Sequence, residues 1–186
     1  MILLEQYHRQ LATMYSDRKP VKCFAPGLLD RFCKSDYGAV MTWLKKDYLF
    51  DLAKLVLPLN PKECHWTLLV ISIIEKTIFY YDSYNSKGAD YLEAAKKWLV
   101  QEAWVQYGFR LDVSTWKSEA VTSPHQPNGV DCGVYTMLNV DLILADLPLA
   151  YDQSDIANVR NKIAYAILTN NERSIGLPYP PYEVVL

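Results

Sequence analysis

The sequence lacks a strong excess of charge of either sign. Its 19 lysine and arginine residues against 21 aspartate and glutamate residues give a formal net charge of −2. Proteins that hold nucleic acid or anionic membranes through a general electrostatic surface are basic, so we expect neither kind of partner. A near-neutral total leaves a protein partner possible, because small charged patches can coexist with it.

Long apolar runs and a secretory signal are also missing. No stretch approaches the roughly 18 to 20 consecutive apolar residues that a membrane span needs. Residues 1–12 carry Glu5 and have neither a basic start nor a long apolar core, so we expect no signal peptide. We therefore expect an intracellular protein, in the nucleus or cytoplasm, or in a host cell if it is a secreted effector.

Cysteine and histidine are scarce. Four cysteines among 186 residues are too few for a disulfide scaffold, so we expect reduced thiols. A chain of this length fits one domain, and it can bury a core without disulfides or metal. We expect a single domain over residues 1–186 and a monomer. Only His8, His65 and His125 are available for imidazole chemistry.

Apolar spacing predicts an α+β fold with a central, mostly antiparallel sheet flanked by helices. Helical spacing covers residues 2–11, 28–32, 39–44, 91–107, 132–147 and 156–168, the last capped by Ser154 or Asp155. Strands are predicted at 66–74, 77–82 and 110–116. Residues 123–131 are dense in turn formers and should form a loop, and the proline-rich tail 176–186 should be extended.

Cys132 lies where the loop 123–131 meets a predicted helix. There its sulfur would face the unpaired N–H groups and the positive end of the helix dipole, which favour a thiolate. Gly133 leaves space beside the sulfur for a substrate carbonyl. The alternative is a buried structural cysteine, since free cysteines are among the most buried residues. We predict that structural role for the other three, Cys23, Cys33 and Cys64.

His65 begins the strongest predicted strand, and Asp82 ends the next one. If the two strands form a hairpin, its open ends bring these side chains together. The carboxylate could then accept from one ring nitrogen and leave the other facing a thiol. His125 would have to fold back awkwardly to reach Cys132. The alternative is a strand-end histidine and a turn-forming aspartate without a chemical role.

Two further side chains near these positions have open interpretations. The amide of Gln126, in the loop before Cys132, could donate to the oxyanion of a tetrahedral intermediate, although loop glutamines are usually just solvated. Trp66, next to His65, could be a core residue or could cover a narrow channel that admits only glycine.

Together and in this order, these residues match a family. The segments His65-Trp66, Tyr81-Asp82-Ser83 and Gln126-x-Asn128-Gly129-x-Asp131-Cys132-Gly133 resemble the ubiquitin-like-protein proteases, the sentrin/SUMO-specific cysteine peptidases of the adenain-like clan of papain-like folds. Residues 40–50 and 160–168 are also similar to that family, and the resemblance covers about residues 20–170.

The resemblance implies a cysteine protease that cuts after the C-terminal Gly-Gly of a ubiquitin-like modifier (SUMO, NEDD8 or ubiquitin), with SUMO expected first. No metal or cofactor is expected. Cys132 would be the nucleophile, His65 its general base and acid, and Asp82 the orienting partner. Gln126 would donate to the oxyanion. The implied substrate contacts are Trp66, Asn128 and Gly133, with Trp66 covering the tunnel that holds the diglycine tail.

One family feature is missing from this sequence. Family members usually carry a Trp-Leu-Asn-Asp segment just before the helix that residues 2–11 resemble, and its tryptophan forms the other side of the tunnel. We expect either that the sequence begins after this segment or that the tunnel is more open. Modifier specificity would be affected more than the chemistry.

Two other functions stay open at this point. Effector acetyltransferases of the same clan share the Cys–His layout, but their third residue is typically glutamate, whereas here it is Asp82 followed by Ser83. A non-catalytic module that binds ubiquitin-like proteins is the other possibility. The presence of all four chemical residues favours an enzyme over that module.

Overall fold

The computed structural model describes residues 20–35, 37–44 and 47–169. Within them, one five-stranded sheet and four α-helices follow the order β1 (Val21–Cys23), α1 (Leu28–Ser35), β2 (Lys54–Leu59), β3 (Thr67–Ser72), β4 (Thr77–Asp82), α2 (Ala89–Tyr107), β5 (Lys117–Thr122), α3 (Cys132–Leu144) and α4 (Gln153–Thr169). Short 3₁₀ turns lie at Tyr37–Ala39, Leu49–Asp51 and Pro61–Glu63. The predicted α+β class is confirmed.

The sheet has the strand order β1-β2-β3-β4-β5. Its three central strands are antiparallel, while each edge strand pairs in parallel with its neighbour. The predicted hairpin is β3–β4, in which Leu68 lies opposite Tyr81. Continued by one position, this register places Thr67 opposite Asp82, so His65, two residues before β3, lies close to the end of β4.

Both faces of the sheet are covered. All six residues of β3 are buried, as its continuous apolar run predicted. Leu69 and Ile71 pack into the core that holds α1 and α2, including the fully buried Trp98. Leu68 and Val70 point to the opposite face, where they pack against α3. The period-two alternation of one strand therefore fixes α3 on the face opposite α2.

The prediction of a helix over residues 39–44 was wrong. The segment forms a 3₁₀ turn at Tyr37–Ala39 and further turns, with i→i+3 bonds from Val40 N to Tyr37 O (2.9 Å) and from Trp43 N to Val40 O (3.0 Å). Val40 and Leu44 are buried in the core. A run this short is not stable as an isolated helix, so the chain forms successive turns instead. One side of these turns is buried, and this produces the apolar spacing that resembled a helix.

The strand predicted at residues 110–116 was also wrong. That segment is irregular, and the strand follows it as β5, parallel to β4 at the sheet edge. Lys117, Ser118 and Glu119 of β5 are exposed. An edge strand with solvated side chains carries little hydrophobic alternation, so its pairing with β4 sets its position.

The start of α4 differs from the prediction by a few residues. Asp152, rather than Ser154 or Asp155, caps it: its carboxylate accepts from Ser154 N (2.7 Å). Asp155 contributes from inside the first turn, where Oδ2 accepts from Asp152 N (3.0 Å), as in a capping box. The helix predicted at 2–11, the tail 176–186 and both ends of the predicted 1–186 domain lie outside the described residues.

None of the helices in the described ranges combines the length and the apolar character that crossing a bilayer requires.

Asp141 of α3 is buried, and neither of its carboxyl oxygens has a hydrogen-bond partner among the described residues. Burial raises its pKa to about 7. The folded protein therefore holds a proton that the unfolded chain releases near its ordinary pKa of about 4. Stability is full below that pH and falls as pH rises towards 7.

We expect Asp141→Asn to remove this dependence of stability on pH and to raise the free energy of unfolding at pH 8 by about 1–3 kcal/mol. Urea denaturation at pH 5 and pH 8 measures it. Glu93→Gln, which changes an exposed carboxylate on α2, is the matched control and should follow the wild type. An unchanged pH slope in Asp141→Asn would contradict the assignment.

Candidate active site

The open end of the β3–β4 hairpin brings His65 and Asp82 together, as its sequence pattern predicted. The distance from His65 Nε2 to Asp82 Oδ1 is 2.7 Å. Since Nε2 faces the carboxylate, Nδ1 is the ring nitrogen left to exchange a proton with a thiol or a substrate.

Asp82 is set up as a charged acceptor. It is only 4% exposed, and its Oδ1 also accepts from the backbone N–H of Tyr84 (2.8 Å). The hydroxyl of Ser86 donates to Oδ2. Burial alone would raise the pKa of Asp82, but the hydrogen bonds from Ser86, Tyr84 and His65, together with the His65 charge, outweigh it and lower that pKa. An ionised Asp82 holds the tautomer of His65 in which Nε2 carries hydrogen.

Cys132 is the first residue of α3 and is buried. The helix begins at this point, because Val134 N and Tyr135 N both donate to Asp131 O, at 2.8 and 3.0 Å. A Cβ placed on Gly133 would lie 3.5 Å from Trp66 Cδ1. The indole of Trp66, which follows His65, therefore packs near Gly133, which follows Cys132. This contact brings the end of the β3–β4 hairpin next to the start of α3.

The side chain of Gln126 is almost completely buried, at 1% exposure. Its Oε1 accepts from the Ser83 hydroxyl, and its Nε2 donates to Tyr84 OH (2.9 Å) and to Asn128 O. Both amide hydrogens thus have acceptors within the protein. The predicted donation to an oxyanion requires one of them to be redirected when substrate binds.

Asn128 shapes the loop before Cys132. Its Oδ1 accepts from Val130 N (3.0 Å) and Asp131 N (3.1 Å), and its Nδ2 donates to Asp131 Oδ2 (2.7 Å). These three hydrogen bonds show that the Asn128 side chain holds the shape of the loop. Its predicted substrate contact stays a prediction.

Asp131 ties the same loop to α4. Besides Asn128, its carboxylate accepts from Gln153 Nε2 (3.0 Å) and pairs with Arg160. The hydrogen bonds from Gln153, Asn128 and Arg160 lower the pKa of Asp131 to about 2. The residue before Cys132 is therefore anchored on three sides as an anion.

Sequence reasoning missed Tyr84 and Ser86. The Tyr84 ring stacks on His65 with a centroid distance of 5.0 Å and an angle of 25°. Both residues lie just after Asp82, so proximity in sequence was the only available signal. His125 is exposed, and its ring lies 6.0 Å from that of Tyr84.

The other cysteines have varied environments. Cys23 is buried, as predicted, but the prediction of a buried structural role was wrong for Cys33 and Cys64, which are exposed. None of the four forms a disulfide. Across the described ranges, no three His, Cys, Asp or Glu side chains are grouped so that they could hold a metal ion.

Comparison with known proteins places this geometry in a family. The family model described as "Ulp1 protease family, C-terminal catalytic domain" matches residues 16–173. Ubiquitin-like-specific protease 1 of Saccharomyces cerevisiae is 34% identical over 140 residues, which are 72% of this chain and 22% of that protein. Human sentrin-specific protease 2 is 31% identical over 135 residues, 71% of this chain and 23% of that protein. The chain thus spans about a quarter of the length of these relatives.

Solved structures give the same result. The C-terminal Ulp1 protease domain, solved in complex with Smt3, the yeast ortholog of SUMO, superposes with a TM-score of 0.75 at 28% identity, covering 91% of this chain and 76% of that one. The Xanthomonas campestris effector XopD bound to ubiquitin shares the fold at 16% identity and a TM-score of 0.53, covering 96% and 83% of the two chains. The chain belongs to the Ulp1 protease family.

Proposed function

We propose that this chain is a cysteine protease domain that cleaves after the C-terminal Gly-Gly of a ubiquitin-like modifier, with SUMO-type modifiers as the first substrate class. The observation that carries the proposal is the His65–Asp82 hydrogen bond at the hairpin end that packs, through Trp66, against the start of the Cys132 helix. The names of the relatives support the substrate class.

In the first step, the Cys132 thiolate attacks the carbonyl carbon of the terminal glycine. The carbonyl oxygen becomes an oxyanion, which accepts from the Cys132 backbone N–H and from a redirected N–H of Gln126. His65 carries the thiol proton on Nδ1, and Asp82 stabilises the resulting imidazolium. When the intermediate collapses, the C–N bond breaks, and His65 gives this proton to the departing amine.

In the second step, water hydrolyses the thioester. His65 Nδ1 takes a proton from the water, whose oxygen attacks the glycine carbonyl carbon. The C–S bond then breaks, which restores the Cys132 thiolate beside the protonated His65. The released modifier loses its remaining carboxyl proton to solvent and leaves with a free carboxylate. Neither reaction step needs a metal or a redox cofactor. The leaving amine is a lysine side chain in deconjugation or a peptide N-terminus in precursor processing.

The proposed preference for glycine is supported by the packing of Trp66 near Gly133. A Cβ on Gly133 would meet the indole at ordinary contact distance, so the gap between the two elements beside Cys132 holds a methyl group but nothing larger without movement of the indole. A tail of glycine residues, which have no Cβ, fits where other residues would collide. We propose an intracellular protein, in the nucleus or cytoplasm, since its modifiers occur there.

A panel of modifier C-terminal electrophiles tests the proposal. Full-length SUMO, NEDD8 and ubiquitin, each with a vinyl or aldehyde group in place of the last carbonyl, are incubated with the protein, and adducts are measured by mass. We expect a covalent adduct at Cys132 with the SUMO probe first, and none with Cys132→Ala. Cys64→Ala, an exposed thiol next to His65, is the control and should still react.

Each contrary outcome has a distinct meaning. SUMO binding without an adduct would indicate a non-catalytic module. Acetylation of Cys132 by acetyl-CoA, without probe labelling, would indicate an acetyltransferase. An adduct formed by Cys132→Ala would place the nucleophile elsewhere.

A further inference from the structure

We infer that Tyr84 is a positioning residue that couples the base His65 to the loop before Cys132. The inference rests on the proposed protease function and extends it to a residue that the motif does not contain. Tyr84 is 46% exposed, so the core does not explain its aromatic ring. Its side chain contacts His65 and Gln126, and its backbone N–H contacts Asp82. These are three of the four proposed catalytic residues.

The ring of Tyr84 restrains the plane of the His65 imidazole. The bond from Nε2 to Asp82 fixes one direction of the ring, but a single hydrogen bond leaves rotation of the ring plane possible. The stack at 5.0 Å and 25° opposes that rotation. With both contacts in place, Nδ1 keeps one direction, which is the condition for efficient proton transfer with Cys132.

The hydroxyl of Tyr84 acts on the other half of the site. It donates to Asn128 O (2.6 Å) and accepts from Gln126 Nε2 (2.9 Å). It therefore anchors the loop that leads to Cys132 and holds the amide of Gln126, the proposed oxyanion donor. In this proposal the N–H on Asn128 O is the one redirected to the oxyanion, while the N–H on Tyr84 holds the amide in place. Without the hydroxyl, that buried N–H loses its acceptor, and the amide turns towards other partners.

These two roles can be separated by substitution. The Tyr84 backbone N–H bonds to Asp82 whatever the side chain is, so a change of side chain leaves that contact in place. Tyr84→Phe keeps the ring and removes the hydroxyl. Tyr84→Leu removes both while keeping an apolar side chain.

Two measurements report the two roles. Alkylation of Cys132 by iodoacetamide depends on the Cys132–His65 pair and forms no oxyanion, whereas turnover of a SUMO C-terminal amide substrate needs both. For Tyr84→Phe we expect alkylation within twofold of the wild type and kcat about tenfold lower, with KM within twofold. For Tyr84→Leu we expect alkylation about tenfold slower and kcat about 100-fold lower. His65→Ala gives the lower limit for alkylation.

The outcomes distinguish this inference from the proposed function. An active wild type whose Tyr84→Leu variant alkylates at the wild-type rate would overturn the role of the ring. Equal kcat for Tyr84→Phe and the wild type would overturn the role of the hydroxyl. A wild type that cleaves no modifier substrate would refute the protease proposal, while the alkylation rates would still test the stack on His65. A rise in KM with unchanged kcat would show substrate binding instead of positioning.

Discussion

Replacing His65 with alanine is expected to lower kcat on a SUMO C-terminal substrate by about 10³- to 10⁵-fold, because the proposed thiolate and the departing amine both depend on its imidazole. KM should change little, since the imidazole contacts the reacting atoms and not the modifier surface. Stopped-flow or discontinuous assays of amide cleavage at substrate saturation measure the effect.

The structure offers a matched control and a rescue. His125→Ala removes an exposed histidine whose ring lies 6.0 Å from that of Tyr84. It should leave kcat within about threefold, because changes to exposed side chains that do not touch the reacting groups have small effects. Millimolar imidazole should restore part of the activity of His65→Ala, since the His65 side chain is 19% exposed and Asp82 remains in place to orient the added imidazole. A variant His65→Ala with more than a tenth of wild-type activity would exclude His65 as the base.

The positions of His65 and Asp82 could be predicted because a hairpin leaves little freedom. Two apolar strands with a tight turn have one register that buries both, and that register decides which residues meet at the open end. The prediction failed for β5, whose place depends on backbone pairing with β4, and for residues 39–44, whose apolar residues are buried by turns.

The contacts of Tyr84 and Ser86 could not be predicted for a different reason. Both residues lie in the turn after β4, where side-chain direction depends on backbone angles that apolar spacing does not encode. The residues of the motif also have different roles, which the motif itself does not show. Asn128 and Asp131 stand in one segment with Cys132, but their hydrogen bonds hold the loop and attach it to α4. A motif shows which residues occur together, and only the contacts show which of them support the others.

Asp82→Asn is expected to retain more activity than Asp82→Ala, with kcat/KM lower by about 10- to 100-fold for asparagine and about 10³-fold for alanine. In the chymotrypsin-type triad, the corresponding Asp→Asn change costs about 10⁴-fold because the asparagine holds the histidine in the wrong tautomer. Here Tyr84 N–H and His65 Nε2 both point at one oxygen, Oδ1. An asparagine amide can meet two donors only with its own oxygen.

The NH₂ group of the introduced asparagine would then face the Ser86 hydroxyl, which can accept as readily as it donates. The substitution thus removes the charge that stabilises the imidazolium while keeping the tautomer, and the double variant Asp82→Asn, Ser86→Ala should lose further activity because the NH₂ group has no acceptor. Asp112→Asn, the same chemical change in an exposed loop, should be neutral. If Asp82→Asn were as inactive as Asp82→Ala, the Tyr84 amide would not control the orientation of the side chain at position 82. Substitution with asparagine would then not separate the effect of the Asp82 charge from the effect of its hydrogen-bond geometry.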